Sequence, residues 1–252
     1  MNALAKATSL FLALAACGGA QTAQPHWGYD GANGPEHWAE LDRDLAICKS
    51  GARQSPIDLS LDLPADPSAV LSFAYAPVAL HARNNGHTVQ VRSDGASSVT
   101  FAGVRYTLKQ FHFHSPAEHT LAGRAFDLEM HLVHASDDGA LLVIGVLFAR
   151  GKPNALLAPA FDAIPASEAD GERSVPGVAI DLHGFVEPAR FARYDGSLTT
   201  PPCSEGVKWF VSLDSAEVSD DQIARFRAAT HGASSRPIQP TNGRPITGAT
   251  AR

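Results

Sequence analysis

Two segments of the chain carry polar side chains at alternate positions. The segment Gln-Phe-His-Phe-His places Gln110, His112 and His114 two residues apart, and the later segment Glu-Met-His holds Glu129 and His131. In a β-strand, residues two apart share one face and lie about 6.6 Å apart along the strand. If the two segments pair as neighbouring strands, three imidazole rings converge on one point.

These spacings predict a metal site with three histidine ligands. A ligating histidine usually donates its other ring N–H to a nearby acceptor, and Gln110 and Glu129 each precede a histidine by two residues on the same face. Three histidines with an open fourth position are typical of catalytic zinc, whereas Cys-rich sets of four are structural. We therefore expect Zn²⁺ on His112, His114 and His131, with Gln110 and Glu129 as their outer partners.

Two other interpretations of the histidines remain open at this stage. Strand histidines can be structural residues that are satisfied by their neighbours. His112, His114 and Glu118 also fit the His-x-His-x3-Glu start of a cupin, in which the carboxylate is a metal ligand. The cupin pattern expects flanking glycines, and this chain has Tyr106 and Ala125 there. A cupin-like metal oxygenase is therefore the second hypothesis.

Length and charge restrict the function further. A chain of 252 residues with 44% hydrophobic content is long enough to bury a sizeable core, and we expect one catalytic domain. The net charge of −6 and the pI near 6.0 provide no basic surface for nucleic acid. Nucleic-acid binding is therefore not expected.

The N-terminus is typical of an exported protein. Lys6 precedes a short apolar run over residues 10–16, which is too short to cross a bilayer and resembles a secretion signal. The run ends in Leu-Ala-Ala-Cys17, similar to the lipobox of bacterial lipoproteins. We expect a signal peptide over 1–17, a connector over 18–25, a catalytic domain over 26–250 and a periplasmic product, tethered by a lipid on Cys17. Ordinary cleavage near Ala20 is the alternative.

The two remaining cysteines, Cys48 and Cys203, suggest a disulfide in an exported chain. A bridge that closes so long a loop contributes about 4–5 kcal/mol on the chain-entropy model. It would also tether the segment that follows Thr199 and Thr200. Two buried free thiols are the alternative.

Short strand signals separated by turn residues predict a mainly β protein. The apolar run Leu141–Phe148 predicts a strand buried on both faces near the centre of the sheet. Ser219, followed by two aspartates and by Ile223 and Phe226, predicts a capped helix to about Thr230. Residues 154–163 are a second, short helical candidate. Before residue 150, the predicted strands cover residues 71–75, 78–82, 88–92, 98–101, 104–114, 126–134 and 140–149.

The alternating polar residues Gln110, His112, His114, Glu129 and His131 are called the histidine ladder below. Together with further motifs, this ladder resembles the α-class carbonic anhydrases over nearly the whole mature chain. The matching segments are residues 26–29 (His-Trp-Gly-Tyr), 54–58 (Gln-Ser-Pro-Ile-Asp), 84–87 (Asn-Asn-Gly-His), 197–202 (Ser-Leu-Thr-Thr-Pro-Pro) and 236–240 (Arg-Pro-Ile-Gln-Pro). The resemblance implies a single domain on a large twisted, mostly antiparallel sheet of about ten strands with a few short surface helices. It also implies a zinc ion at the base of a cone-shaped cleft.

The resemblance further implies the reversible hydration of carbon dioxide to bicarbonate and a proton by hydroxide bound to zinc. On this match, Thr199 accepts a hydrogen bond from that hydroxide and donates its own to Glu118. His87 matches the residue that shuttles the released proton to solvent. An imidazole suits this role because its ordinary pKa lies near neutrality.

Other positions match the walls of the family's cleft. An apolar pocket for carbon dioxide is implied for Val133, Val143, Leu198, Thr200 and Trp209. Positions that support ordered water are implied for Tyr29, Asn85 and Gln90, although Gln90 replaces the Asn common in animal members.

The resemblance also sets expectations for partners. Sulfonamides and small anions are expected inhibitors, and the chain is expected to be a monomer or a homodimer. A non-catalytic binding protein on the same fold is a further alternative, usually reached by loss of a zinc histidine. All three histidines are present in this chain.

Overall fold

The computed structural model describes residues 26–186 and 189–252. The predicted signal peptide (1–17), the lipobox residue Cys17 and the connector (18–25) lie outside these residues. In the part of the chain that is described, no helix is both long enough and apolar enough to cross a membrane.

Strands dominate the regular structure. In chain order they are β1 Asp58–Leu59, β2 Ala65–Ala74, β3 Val78–Asn84, β4 Val89–Arg92, β5 Ser98–Phe101, β6 Val104–His114, β7 Thr120–Leu121, β8 Leu128–Ala135, β9 Leu141–Arg150, β10 Glu172–Ile180, β11 Arg190–Ser197, β12 Glu205–Ser212, β13 Ala216–Val218 and β14 Thr247–Ala251. The helices are short: α1 Trp38–Leu41, α2 Ile47–Ser50, α3 Ala158–Asp162 and α4 Asp220–Ala229. Single 3-10 turns lie at Gly31–Asn33, Arg43–Leu45, Glu168–Asp170 and His183–Phe185.

Twelve of these strands form one mixed sheet, and β1 and β7 form a small parallel pair beside it. Eight strands of the large sheet pair in a closed cycle, in the order β2, β5, β6, β8, β9, β12, β11, β14 and back to β2. β4, β3 and β10 continue the sheet from β6, and β13 pairs with the end of β9. Accumulated twist allows one sheet to curl in this way.

The predicted fold class is confirmed: the protein is mainly β, with a large twisted sheet and few short helices. The sheet has twelve strands, where about ten were expected. The apolar run over 141–148 lies in β9, which pairs on both edges and is almost wholly buried, as predicted. α4 begins after Ser219 with the predicted cap, because Ser219 and Gln222 exchange side-chain and backbone hydrogen bonds. β10 to β14 lie beyond the segments predicted as strands.

The histidine ladder lies where β6 and β8 pair. The register sets His112 opposite His131, and His114 opposite Glu129. The alternation of the strand turns Phe111 and Phe113 to the opposite face, where both are buried in the main core. The predicted convergence of three imidazoles therefore follows from antiparallel pairing and the register.

The expected disulfide between Cys48 and Cys203 is present in the structure. Both cysteines are buried in a small apolar cluster with Trp38 and Leu45. The bridge links α2, which contains Cys48, to the loop that carries Thr199 and Thr200. This bridge is consistent with export, because disulfides persist in oxidising compartments.

His134 in β8 is a fully buried imidazole away from the ladder. Its Nδ1 donates to the Leu142 carbonyl at 3.2 Å, and its Nε2 lies 2.7 Å from the Tyr75 hydroxyl. Burial lowers the pKa of His134 to about 4. The unfolded chain therefore binds a proton at this residue below about pH 6.5, whereas the folded chain does not, and stability is lost as pH falls from about 6.5 toward 4.

We predict that His134→Gln weakens this acid sensitivity. Between pH 7 and pH 5, the parent should lose about 2 kcal/mol more of its free energy of unfolding than the variant does, because the variant has no imidazole to protonate in the unfolded state. Urea unfolding at the two pH values measures the difference. Equal losses of unfolding free energy in the two proteins would show that His134 does not cause the acid sensitivity.

Candidate active site

Three imidazole rings meet at one point on the face of β6 and β8. The ligand nitrogens of His112, His114 and His131 all lie within 4.8 Å of one another. His114 and His131 are buried and His112 is half-buried. The structure therefore brings together the three residues predicted as zinc ligands.

Each ring is oriented by one hydrogen bond that leaves its other nitrogen free. His112 Nδ1 donates to Gln110 Oε1 at 2.8 Å, and His131 Nε2 donates to Glu129 Oε1 at 2.9 Å. Both outer partners are those predicted from the sequence. The remaining nitrogens are Nε2 of His112 and Nδ1 of His131, so the hydrogen bonds also fix which atom faces the centre.

His114 has a partner that the sequence did not reveal. Its Nδ1 donates to the backbone carbonyl of Ser234 at 2.6 Å, which leaves Nε2 facing the other two rings. A main-chain carbonyl carries no side-chain signature. No motif in the sequence could therefore have identified this acceptor, which lies 120 residues further along the chain.

Glu129 is a buried carboxylate with four hydrogen-bond donors. Oε1 accepts from His131 and from His119 Nδ1, while Oε2 accepts from the backbone N–H groups of Glu118 and His119. Burial favours the neutral acid, but His119 and His131 outweigh it and hold the pKa of Glu129 well below its usual range. The carboxylate therefore stays charged and fixes the loop after β6 as well as one ligand ring.

Burial keeps all three ligand rings neutral. It lowers the pKa of His112 well below the ordinary value, lowers that of His114 to about 4, and lowers that of His131. The other two rings add to the effect at His112 because imidazolium ions repel one another. A neutral ring offers a lone pair, which a metal ligand requires.

Three buried polar atoms around the rings lack hydrogen-bond partners, which fits a bound metal ion that carries one further ligand. His114 Nε2, Glu118 Oε2 and the Tyr29 hydroxyl are buried, and each lacks a hydrogen-bond partner among the described residues. Buried polar atoms of this kind are rare in folded proteins, and a metal or ordered water usually explains them. The donor set of three imidazoles, together with the orphaned nitrogen, fits zinc.

Glu118 lies beside the three rings but outside the ligand cluster. Its Oε1 accepts from the backbone N–H of Arg236 at 2.9 Å, and its Oε2 lies 3.7 Å from His114 Nε2. Burial raises the pKa of Glu118 to about 7, while His131 acts to lower it and the Thr199 hydroxyl lowers it slightly. Thr199 therefore lies close enough to Glu118 to affect its carboxyl group, and these are the two residues that the family resemblance pairs.

An apolar wall borders the rings. Val143 pairs with Val133 on β8 and with Trp209 on β12, and the Trp209 ring centre lies 4.8 Å from that of His131. Leu198 packs against the same cluster. Thr200 is half-buried in the loop before Cys203, whose N–H donates to the Thr200 carbonyl. Four predicted pocket residues therefore belong to one apolar cluster next to the site.

The residues predicted for water and proton movement lie on neighbouring elements. The pKa of Tyr29 is raised well above its ordinary value by burial and by Glu118. Gln90 pairs with His112 across β4 and β6. Asn85 uses its Oδ1 to accept from the N–H groups of His87 and Thr88, so it holds the turn that carries His87. The His87 ring stacks on Trp27 with 3.7 Å between ring centres.

Two residues near the site have larger roles than the sequence suggested. Arg236 is buried and donates from its side chain to Gln54, to Ser55 and to the Cys48 carbonyl, while its backbone holds Glu118. His119 is the second such residue. Its Nδ1 binds Glu129, and its Nε2 lies 2.8 Å from the Tyr194 hydroxyl.

Known proteins resemble this chain over most of its length. Residues 33–250 match the family model described as eukaryotic-type carbonic anhydrase. A carbonic anhydrase of Pectobacterium carotovorum is 40% identical over 94% of this chain and 97% of its own, and one from Nostoc sp. is 43% identical over 87% and 84%. A solved α-carbonic anhydrase from Thermovibrio ammonificans, in complex with the inhibitor sulfanilamide, is 40% identical with a TM-score of 0.84. It covers 89% of this chain and 100% of its own.

We predict that Gly145→Ala weakens zinc binding although Gly145 is not a ligand. Gly145 lies opposite His131 on β9, and an added Cβ would come 2.9 Å from Glu129 Oε1. Displacement of this carboxylate should lower the affinity for zinc about 10–100-fold. Competition with a chelator measures the change.

Gly248→Ala is the matched control, because the nearest atom to its added Cβ lies 3.8 Å away. The control should bind zinc as the parent does. Parent-like zinc affinity in Gly145→Ala would show that the position of Glu129 does not affect zinc binding by His131.

Proposed function

The chain belongs to the eukaryotic-type carbonic anhydrase family, and on this basis we propose that it catalyses the reversible, zinc-dependent hydration of carbon dioxide to bicarbonate and a proton. The observation that carries the proposal is the set of three neutral rings, two buried and one half-buried, whose free nitrogens meet beside an apolar wall. Carbonic anhydrases are lyases, and the family assignment makes this chain an enzyme of that class.

His112, His114 and His131 are the proposed zinc ligands, through Nε2, Nε2 and Nδ1. Carbonic anhydrase is the standard example in which a zinc ion lowers the pKa of a bound water and so supplies a nucleophile near neutral pH. Gln110, Glu129 and the Ser234 carbonyl hold the rings in the required tautomers. The position of Glu118 outside the ligand cluster favours this function over the cupin-like alternative.

Thr199 and Glu118 are proposed to orient the attacking oxygen. Because Arg236 N–H binds Glu118 Oε1, the free Oε2 can accept the proton of the Thr199 hydroxyl. The Thr199 oxygen then has only acceptor lone pairs to offer to the nucleophile. This arrangement favours a single orientation of the attacking oxygen.

Val133, Val143, Leu198 and Trp209 are proposed to hold carbon dioxide, with Thr200 at the edge of this pocket. A small apolar substrate gains little from hydrogen bonds, and an apolar wall excludes the water that would compete for the space. Tyr29, Asn85 and Gln90 are proposed to support ordered water between the centre and the cleft rim.

His87 is proposed to carry the released proton to solvent. Its ring is half-buried at the edge of the β3–β4 turn, and burial lowers its pKa below the ordinary value. An imidazole can both accept a proton from water and release it to buffer, because its ordinary pKa lies near neutrality.

The sulfanilamide complex of the Thermovibrio ammonificans enzyme supports inhibition by sulfonamides, and small anions are expected to compete as well. We also propose export to the periplasm by the signal over 1–17, with Cys17 as the lipidated N-terminus, a connector over 18–25, and a catalytic domain over 26–250 that acts as a monomer or homodimer. The bacterial relatives and the disulfide support export.

The proposed activity is tested by stopped-flow hydration of carbon dioxide with zinc-loaded protein. We expect turnover that an aromatic sulfonamide abolishes and that removal of zinc by a chelator abolishes. A zinc-loaded, folded protein without hydration activity would contradict the proposal and would favour a binding protein on the same fold.

We predict that Thr199→Ala lowers the turnover number about 100-fold and leaves the zinc content unchanged. Removal of one positioned hydrogen-bonding group from a transition state typically has an effect of this size. Stopped-flow kinetics and metal analysis measure the two quantities. Thr241→Ala, a threonine away from the site, should keep the parent's activity, and zinc loss in Thr199→Ala would show a structural role instead.

We predict that His87→Ala lowers turnover about tenfold or more in weak buffer, because proton export then limits the rate. Added imidazole should restore most of the activity by accepting the proton from solution. An undiminished rate in weak buffer would rule out His87 as the shuttle.

A further inference from the structure

A carboxylate lies directly against the turn that carries His87. A Cβ built on Gly86 would come 2.8 Å from Glu168 Cδ and 2.9 Å from its Oε2. Gly86 has a φ of +82°. Glycine is therefore needed here both for the backbone conformation and for the close approach of Glu168.

One buried side chain links the His87 turn to the segment that carries Glu168. Asn84 Oδ1 accepts from the Gly86 N–H at 2.9 Å. Asn84 Nδ2 donates to the Pro165 carbonyl at 3.3 Å and to the Ala229 carbonyl at 2.8 Å. The turn and the neighbouring segment are thus fixed to the same residue, and their separation is set by the fold.

The backbone around Glu168 is itself held in place. Ser167 and Asp170 form a capping box around the 3-10 turn Glu168–Asp170, with Ser167 N–H donating to Asp170 Oδ2 at 2.8 Å. Glu168 is exposed, and its carboxylate makes no hydrogen bond or ion pair with another described residue. No Lys or Arg among the described residues therefore pairs with its negative charge.

Three neighbours determine the environment of the His87 ring. Trp27 stacks on its face and helps to bury it, Glu168 attracts a positive charge on it, and His26 repels such a charge. Burial has the largest effect and lowers the pKa of His87, whereas Glu168 raises it. Among the described residues, Glu168 is the negative group that acts on this ring.

We propose that Glu168 is a positioning residue for proton export, whose carboxylate stabilises the protonated His87 ring at the cleft rim. The inference rests on the proposed shuttle role of His87. In each cycle, His87 gains one proton from water in the cleft on one ring nitrogen and releases one proton to buffer. No bond to Glu168 forms or breaks in this cycle.

The direct test follows the titration of His87 by NMR in zinc-loaded, histidine-labelled protein, with the His87→Ala spectrum used to assign its signal. Glu168→Gln keeps the size of the side chain but removes its charge. The midpoint for His87 should fall by about 0.3–0.5 pH unit, the size expected for one charge acting through partly hydrated space. The fall should shrink in 0.5 M salt because exposed charges are screened.

Glu217→Gln is the matched control, because it removes an exposed charge from β13, which pairs with the far end of β9. It should leave the His87 midpoint unchanged. An unchanged midpoint in Glu168→Gln, or an equal fall in Glu217→Gln, would overturn the inference. So would a fall accompanied by changed amide signals for Gly86, because the effect would then come from a rearranged turn.

Kinetics separates this inference from the shuttle role itself. Near neutral pH in weak buffer, Glu168→Gln should lower turnover about twofold and shift the pH profile in the direction of the NMR midpoint. Glu168→Gln should have no further effect when His87 is already alanine, and a further loss there would overturn the inference. Full activity of His87→Ala in weak buffer would instead refute the shuttle, while the NMR midpoint still reports whether Glu168 acts on the ring.

Discussion

The site depends on one buried ionised carboxylate, that of Glu129. A charge without partners in the protein interior costs several kcal/mol, so the fold must supply donors to it. It does so with two imidazoles and two backbone N–H groups, which come from β8 and from the loop after β6. These donors set the tautomer of His131 and the path of the loop that carries Glu118. Gly145 on β9 leaves the space that this arrangement needs.

The local parts of the site could be predicted from the sequence because strand geometry is periodic. Residues two apart share a face, so Gln110 with His112 and Glu129 with His131 followed from spacing alone, and the structure pairs them as expected. The partners of His114 and Glu118 could not be predicted in this way. They are main-chain groups of Ser234 and Arg236, brought to the site by long-range folding and without a side-chain pattern.

The fold was predictable where a strand alternates in character, as in β6, or is buried and apolar, as in β9, and less so elsewhere. β10 is mostly exposed and contains Pro176 and Gly177, while β14 consists of small residues, so neither has the alternation of a typical strand. The closed cycle of eight strands depends on the parallel pairs β14 with β2 and β12 with β9. Such pairs join residues far apart in sequence, and no local pattern records them.

A crystal structure of the zinc-loaded protein would test whether the fold keeps Glu118 out of the ligand set and so leaves one metal position open. We expect zinc bound by Nε2 of His112, Nε2 of His114 and Nδ1 of His131 at about 2.0–2.1 Å, with a solvent molecule as fourth ligand. Coordination by Glu118, or by the other nitrogen of any of these rings, would contradict this arrangement.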